Sequence, residues 1–192
     1  NILAEKFSLV GGGAFTQPLM NDNFGGLAVG GTRIASPRLV FGGSVPVPLE
    51  SVIGPVTVTT DIALNNPTGP FNNLAVPGAA SFHLIAPGYG NLANVSLGVA
   101  NPYFVRMTGS TPNATVMELA VQQSPTFVSL WIGANDVLGY ALGGASSAGP
   151  TPQPTFDFSI ATIMSSLAGT KGVMTNIPYV TDIPYFTTIP YN

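Results

Sequence analysis

Cysteine is absent from all 192 residues. Disulfides, thiol nucleophiles and thiolate metal sites are thereby excluded. Charge is nearly as scarce, at 7 % of residues, against about 25 % in an ordinary globular domain. The five basic residues are Lys6, Arg33, Arg38, Arg106 and Lys171, and they form no stripe. Nucleic-acid binding therefore has no electrostatic footing. One histidine, His83, and eight scattered acids do not make a zinc ligand set. No metal or cofactor is expected. No apolar run reaches the ~18 residues of a transmembrane helix. No secretory signal pattern opens the chain. Asn1-Ile2-Leu3-Ala4-Glu5-Lys6-Phe7 reads instead as the interior of a helix, which suggests a further N-terminal piece.

What is present is apolar residues, glycine and proline. Hydrophobic residues make up 45 % of the chain, so disorder is not expected. The 23 glycines and 18 prolines point to long, ordered, weakly charged loops. Residues 11–70 show no sustained period and read as one long irregular insertion. Val56-Thr57-Val58-Thr59-Thr60 is β-branched and predicts a short strand within it.

Regular patterning begins near residue 71. Asn73-Leu74-Ala75-Val76 predicts a short buried strand closed by Pro77-Gly78, with a short helix over 79–85. A helix opens at Thr111-Pro112, with Val116, Leu119, Ala120 and Gln123 on one face. Residues 126–132 are nearly continuously apolar, as for a strand buried on both faces of a parallel sheet, with Trp131 in its core. Residues 141–154 read as a loop. A helix fits 155–168, closed by Gly169, and a third strand fits 172–177. The alternation of strand and helix is that of a parallel α/β sheet.

Open α/β sheets bind ligands beyond the carboxyl ends of their strands. Three such ends are expected here: Pro77-Gly78, Gly133-Ala134-Asn135-Asp136 and Pro178-Tyr179-Val180-Thr181-Asp182. A glycine there can offer a backbone N–H, and an asparagine an uncharged side-chain donor. Both suit the negative oxygen that develops during ester hydrolysis.

Asn73 to Gly78 resembles the second conserved block of the SGNH (GDSL-type) hydrolases. Phe127 to Asp136, ending in Gly133-Ala134-Asn135-Asp136, resembles the third. Gly11 to Pro18, Ala100 to Arg106 and Ile183 to Asn192 are similar to a subgroup of bacterial surface lipoproteins with long loop insertions. The resemblance implies a three-layer α/β/α flavodoxin-like fold, with residues 1–192 as a portion of a single hydrolase domain. It implies oxyanion-hole roles for Gly78, by its backbone N–H, and Asn135, by its side-chain amide. It also implies an esterase, lipase or acylhydrolase acting on an ester substrate, secreted or held at the bacterial surface.

The departures matter as much. No Gly-Asp/Asn-Ser-Leu block supplies the nucleophile, and no Asp-x-x-His block supplies the base. His83 lies in the wrong place for that base. Without a Ser–His pair the chain alone has no activated nucleophile. In the flavodoxin-like strand order 2-1-3-4-5, the chain would supply strands 2, 3 and 4. Strand 1 would come from another segment of the same protein or from another chain.

Each candidate also has a plainer reading. Asn135 and Gly78 fit ordinary turn residues. Asp136 fits a cap better than a chemical role. His83 fits a structural histidine at the pocket rim, Asp182 a surface acid, and Arg106 either a carboxylate binder or a loop anchor. Tyr179, Tyr185, Phe186 and Tyr191 fit a pocket lining or simple packing. A non-catalytic surface scaffold that keeps the fold is the competing function, with a place in a cell-envelope assembly. A carbohydrate-binding module is a weaker third.

Overall fold

A computed structural model describes residues 2–63, 69–145 and 149–183. These residues are mixed α/β, with short sheets. They divide into two compact units. One holds the residues up to Ala75 together with Gly88–Ala114, and the other holds Val76–Pro87 together with the residues from Thr115 onward.

The first unit begins with helix α1 (Ile2–Ser8), which buries no residue. Two antiparallel hairpins follow where an irregular insertion was expected: β1 (Leu27–Val29) with β2 (Thr32–Ala35), and β3 (Leu39–Phe41) with β4 (Pro46–Pro48). Strands of three or four residues leave too short a period to read in a sequence. Gly30 and Gly31 form the first turn with φ of +56° and +82°, the backbone that a two-residue hairpin loop needs and that favours glycine. The buried carboxylate of Asp61 closes over this turn. It accepts the N–H groups of Gly30 (3.1 Å), Gly31 (2.6 Å) and Ala63 (2.8 Å). The expected strand at 56–60 does not form. The backbone there makes a single parallel bridge, between Ala28 and Asp61.

Helix α2 (Glu50–Ile53) is tied to β2 by a two-pronged ion pair from Arg33 to Glu50, at 3.0 and 2.8 Å. The apolar centre of the unit is Leu27, Ile62 and Val105, flanked by Met20, Val29, Ala35, Val95 and Tyr103. Val105 ends helix α3 (Pro102–Val105), which Asn101 caps by accepting the Tyr103 N–H. Next to it, Arg106 is only 3 % exposed. Its guanidinium donates to the carbonyls of Pro18 (3.2 Å) and Leu19. Of the two readings of Arg106, the loop anchor is the one these contacts describe. Burial lowers its pKa, because the charged form loses hydration.

The second unit contains a 3-10 turn, Ser81–Ile85, where a short helix was expected. Helix α4 (Val116–Gln122) starts later than Thr111-Pro112. Thr115 and Glu118 form a reciprocal capping box, and that pair sets the start. Strand β5 (Phe127–Leu130), helix α5 (Ala134–Leu142), helix α6 (Gln153–Ser166) and strand β6 (Lys171–Met174) follow in order. β5 and β6 pair in parallel, Phe127 opposite Lys171 and Leu130 opposite Met174, with the two helices forming the crossover. α6 presents the fully buried Ser159 and Ile163 and packs on the 3-10 turn.

Two strand expectations need correction. Residues 73–76 form no strand. The Asn73 side chain accepts the Ala75 N–H at 3.1 Å, a local turn that competes with a sheet ladder. β5 is not buried on both faces either. Val128 and Leu130 are half-buried, but Phe127 and Ser129 are exposed, and Trp131 is 71 % exposed instead of lying in the core. Among the described residues the sheet has two strands, so only the crossover helices are available to cover it.

The Asp61 clasp generates a prediction. Asp61→Ala leaves three backbone donors without their carboxylate and should lower stability by about 2–4 kcal/mol in urea unfolding. Gly31→Ala should cost about 1–2 kcal/mol, through the left-handed backbone alone.

Candidate functional site

The Gly133-Ala134-Asn135-Asp136 turn lies beyond the carboxyl end of β5 and starts α5. Gly133 is the N-cap, with φ +109°. A side chain there would be strained, and its Cβ would meet Ile177 Cδ1 at 2.6 Å. Only glycine lets the strand turn this sharply beneath Ile177. The turn then delivers Asn135 and Asp136 as the second and third residues of the helix.

Asp136 is 5 % exposed and Ser81 is fully buried. The two carboxylate oxygens grip one residue twice. Oδ2 accepts the Ser81 N–H and Oδ1 accepts the Ser81 hydroxyl, both at 2.8 Å. Asp136 also sits in the first turn of α5, where the helix dipole favours a negative charge. It caps the 3-10 turn from a distance of 55 residues in sequence.

Asn135 reaches the same segment. Its Nδ2 donates to the carbonyl of Ala79 at 2.9 Å. Ala79 follows Gly78, which is exposed with φ +77°. The amide of Asn135 is thus brought to the residue next to Gly78. His83 lies one turn further on, half-buried, and its Nδ1 accepts the Ala80 N–H at 2.9 Å. The ring also tilts against Phe82, with centroids 4.2 Å apart.

A serine, a histidine and an aspartate therefore meet here, but they are not wired as a catalytic triad. In a triad the histidine takes the serine proton and donates its other N–H to the carboxylate. Here Ser81 donates directly to Asp136, and the histidine's Nδ1 accepts from the backbone. Ser81 has no exposure from which to attack a substrate.

Of the predicted site residues, Gly78, His83, Asn135 and Asp136 cluster. Tyr179 is 80 % exposed, ahead of a 3-10 turn at Val180–Asp182, and Asp182 is exposed in that turn. Among the described residues no hydrogen bond joins either to the cluster. Tyr185, Phe186 and Tyr191 lie outside the described residues. Ser81 was missed in the sequence, where only a hydroxyl residue at the start of a short turn marks it. A shallow depression of about 380 Å³ lies at the other end of the strands, lined by Ser124, Pro125, Gly169 and Thr170 among others. No ionisable group lines it, so it offers less chemistry than the turn.

Burial lowers the pKa of His83, and the nearby Asp136 charge opposes that effect more weakly. The neutral ring is favoured in the folded chain. Between the ordinary histidine value and the lowered one, the unfolded chain binds a proton that the folded chain does not.

No family model matches the chain, and neither a curated protein nor a solved structure is significantly similar to it.

Three outcomes are expected. Asp136→Ala should cost about 2–4 kcal/mol in chemical denaturation, since two buried donors lose a charged acceptor. Gly133→Ala should cost at least as much as an ordinary left-handed alanine, about 1–2 kcal/mol, because Ile177 must also move. The thermal midpoint should fall as pH drops through about 6.5, and His83→Gln should flatten that part of the profile.

Proposed function

We propose that the chain is part of the catalytic domain of an SGNH-type serine ester hydrolase, with Asn135 and Gly78 as oxyanion donors. One observation carries the reading. The Asn135 amide, at the end of β5, is tied to the peptide that follows Gly78. The Asn135 amide and the residue next to Gly78, from segments about 55 residues apart, thereby meet beyond a strand end, where α/β folds bind ligands. One Asn135 amide hydrogen holds Ala79. The other is suited to an incoming carbonyl oxygen as it gains charge.

In this reading the sheet continues in the flavodoxin-like manner, with further strands supplied from outside these residues. So are the nucleophilic serine and the histidine that activates it. The serine would attack the ester carbonyl, and the displaced electron pair would rest on an oxygen held by Asn135, by the Gly78 N–H and by the serine N–H. Histidine would move the proton from serine to the leaving alcohol. Localisation at the bacterial surface or in secretion belongs to the same proposal.

A second reading has its own support. The β5–β6 sheet and the residue after β5 expose Phe127, Trp131, Val173 and Met174, and such a surface suits a binding or scaffold protein that keeps the fold without the chemistry. The two readings part at the gene. The hydrolase requires a Gly-Asp/Asn-Ser-Leu and an Asp-x-x-His segment in the full polypeptide, and the scaffold requires neither.

With both segments present, the full polypeptide should hydrolyse p-nitrophenyl acetate, and Asn135→Ala should lower kcat by about 10²–10³. Unchanged turnover in that variant overturns the oxyanion role.

A further inference from the structure

The Ala79–Ala80 peptide group is held at both ends. Its carbonyl takes the Asn135 amide at 2.9 Å, and its N–H goes to His83 Nδ1 at 2.9 Å. A peptide group is planar, so its two ends turn together. Ala79 and Ala80 are both buried, which leaves water little room to replace either partner. The His83 N–H also donates to the Ala80 carbonyl at 3.1 Å, so ring and backbone close a small loop.

Nδ1 can accept only while it is unprotonated. The ring is then neutral, with its proton on Nε2. A proton on Nδ1 turns an acceptor into a donor that faces another donor, and the Ala80 contact becomes repulsive. Asp136, from α5, has its carboxylate occupied by Ser81. Glu118, from α4, accepts the Thr115 N–H. Asp157, on α6, is exposed, and Tyr140, on α5, is half-buried. None of these replaces Nδ1 as the acceptor for Ala80.

We propose that His83 is a positioning residue for Asn135: its neutral ring fixes the Ala79–Ala80 peptide and so aims the Asn135 amide, and protonation of Nδ1 releases both. The chemical meaning of that aim rests on the oxyanion reading of Asn135. The coupling itself does not. It makes the candidate donor pair intact at neutral pH and slack in acid, through a peptide that touches no substrate.

The chain has one histidine, so ring ¹⁵N spectra report His83 without ambiguity. The test follows the His83 ring, the Ala80 amide and the Asn135 side-chain NH₂ by NMR, from about pH 8 to about pH 5, across the range in which histidine titrates. The Asn135 signals are identified by their loss in Asn135→Asp. All three sets should move with one midpoint, and the protection of the Ala80 amide, taken against the intrinsic exchange rate at each pH, should fall up to about tenfold on protonation, for the loss of one hydrogen bond. In His83→Gln, whose side-chain oxygen can still accept from Ala80, the Asn135 signals should stay near their neutral position and cease to titrate. In His83→Phe they should sit at the acid position throughout.

Three results would overturn the proposal: a proton on Nδ1 at neutral pH, Asn135 signals that do not follow the ring, or a titration that persists in His83→Gln. The last would assign the response to a group other than His83. Normal ester turnover in Asn135→Ala would sink the oxyanion reading and leave this coupling standing. Static Asn135 signals would sink the coupling whatever the turnover.

Discussion

The second unit depends on one buried carboxylate. Asp136 spends both oxygens on Ser81, and this bond pair joins the start of α5 to the start of the 3-10 turn. Without it, the link between the β5 strand end and the segment after Gly78 would rest on the weaker Asn135–Ala79 bond. The Asn135–Ala79 bond is a single neutral contact at a partly exposed position, and it gains direction from the stronger clasp beside it. A charge in an interior is costly unless fully hydrogen-bonded. Here the N–H, the hydroxyl and the helix dipole meet that requirement together.

The first unit uses the same device. Its apolar centre is small, and Asp61 and Arg106 are buried where they hold backbone groups by hydrogen bonds. Asp61 collects three N–H groups at a hairpin turn, and Arg106 collects two carbonyls from a loop. A chain with few charges has placed three of them inside, each as a fastener of irregular backbone. That is how glycine- and proline-rich loops become ordered without long strands or helices to carry them.

Parts of this were legible in the sequence. The helix at 153–166 and the parallel pairing of the strands beside Gly133 and Lys171 follow from apolar spacing, whereas the short helix expected over 79–85 is a 3-10 turn at 81–85. Those signals are local, so they survive in a single sequence. The hairpins at 27–35 and 39–48 were not legible, because strands of three or four residues carry almost no period. Asn73–Val76 misled for a related reason: four apolar-flanked residues suit a strand, but the Asn73 side chain offers the backbone a closer partner. Asn135 and Gly78 were named from motif position, and the Asn135 amide bonds the carbonyl of Ala79, the residue after Gly78. Ser81 was invisible because its role lies in a contact across 55 residues, and no pattern within either segment announces it. His83 was recognised as structural, but the peptide it holds emerges only from atomic distances.

Trp131 stands at the end of β5, two residues before the glycine that turns the chain toward Asn135. It is the chain's one tryptophan, and most of its surface faces water. Its fluorescence is therefore a built-in optical gauge of this corner of the molecule. Emission from a solvated indole lies to the red, and anything that settles over the strand end would dry the ring and draw the light to the blue. The molecule thus carries its own reporter for anything that covers this strand end.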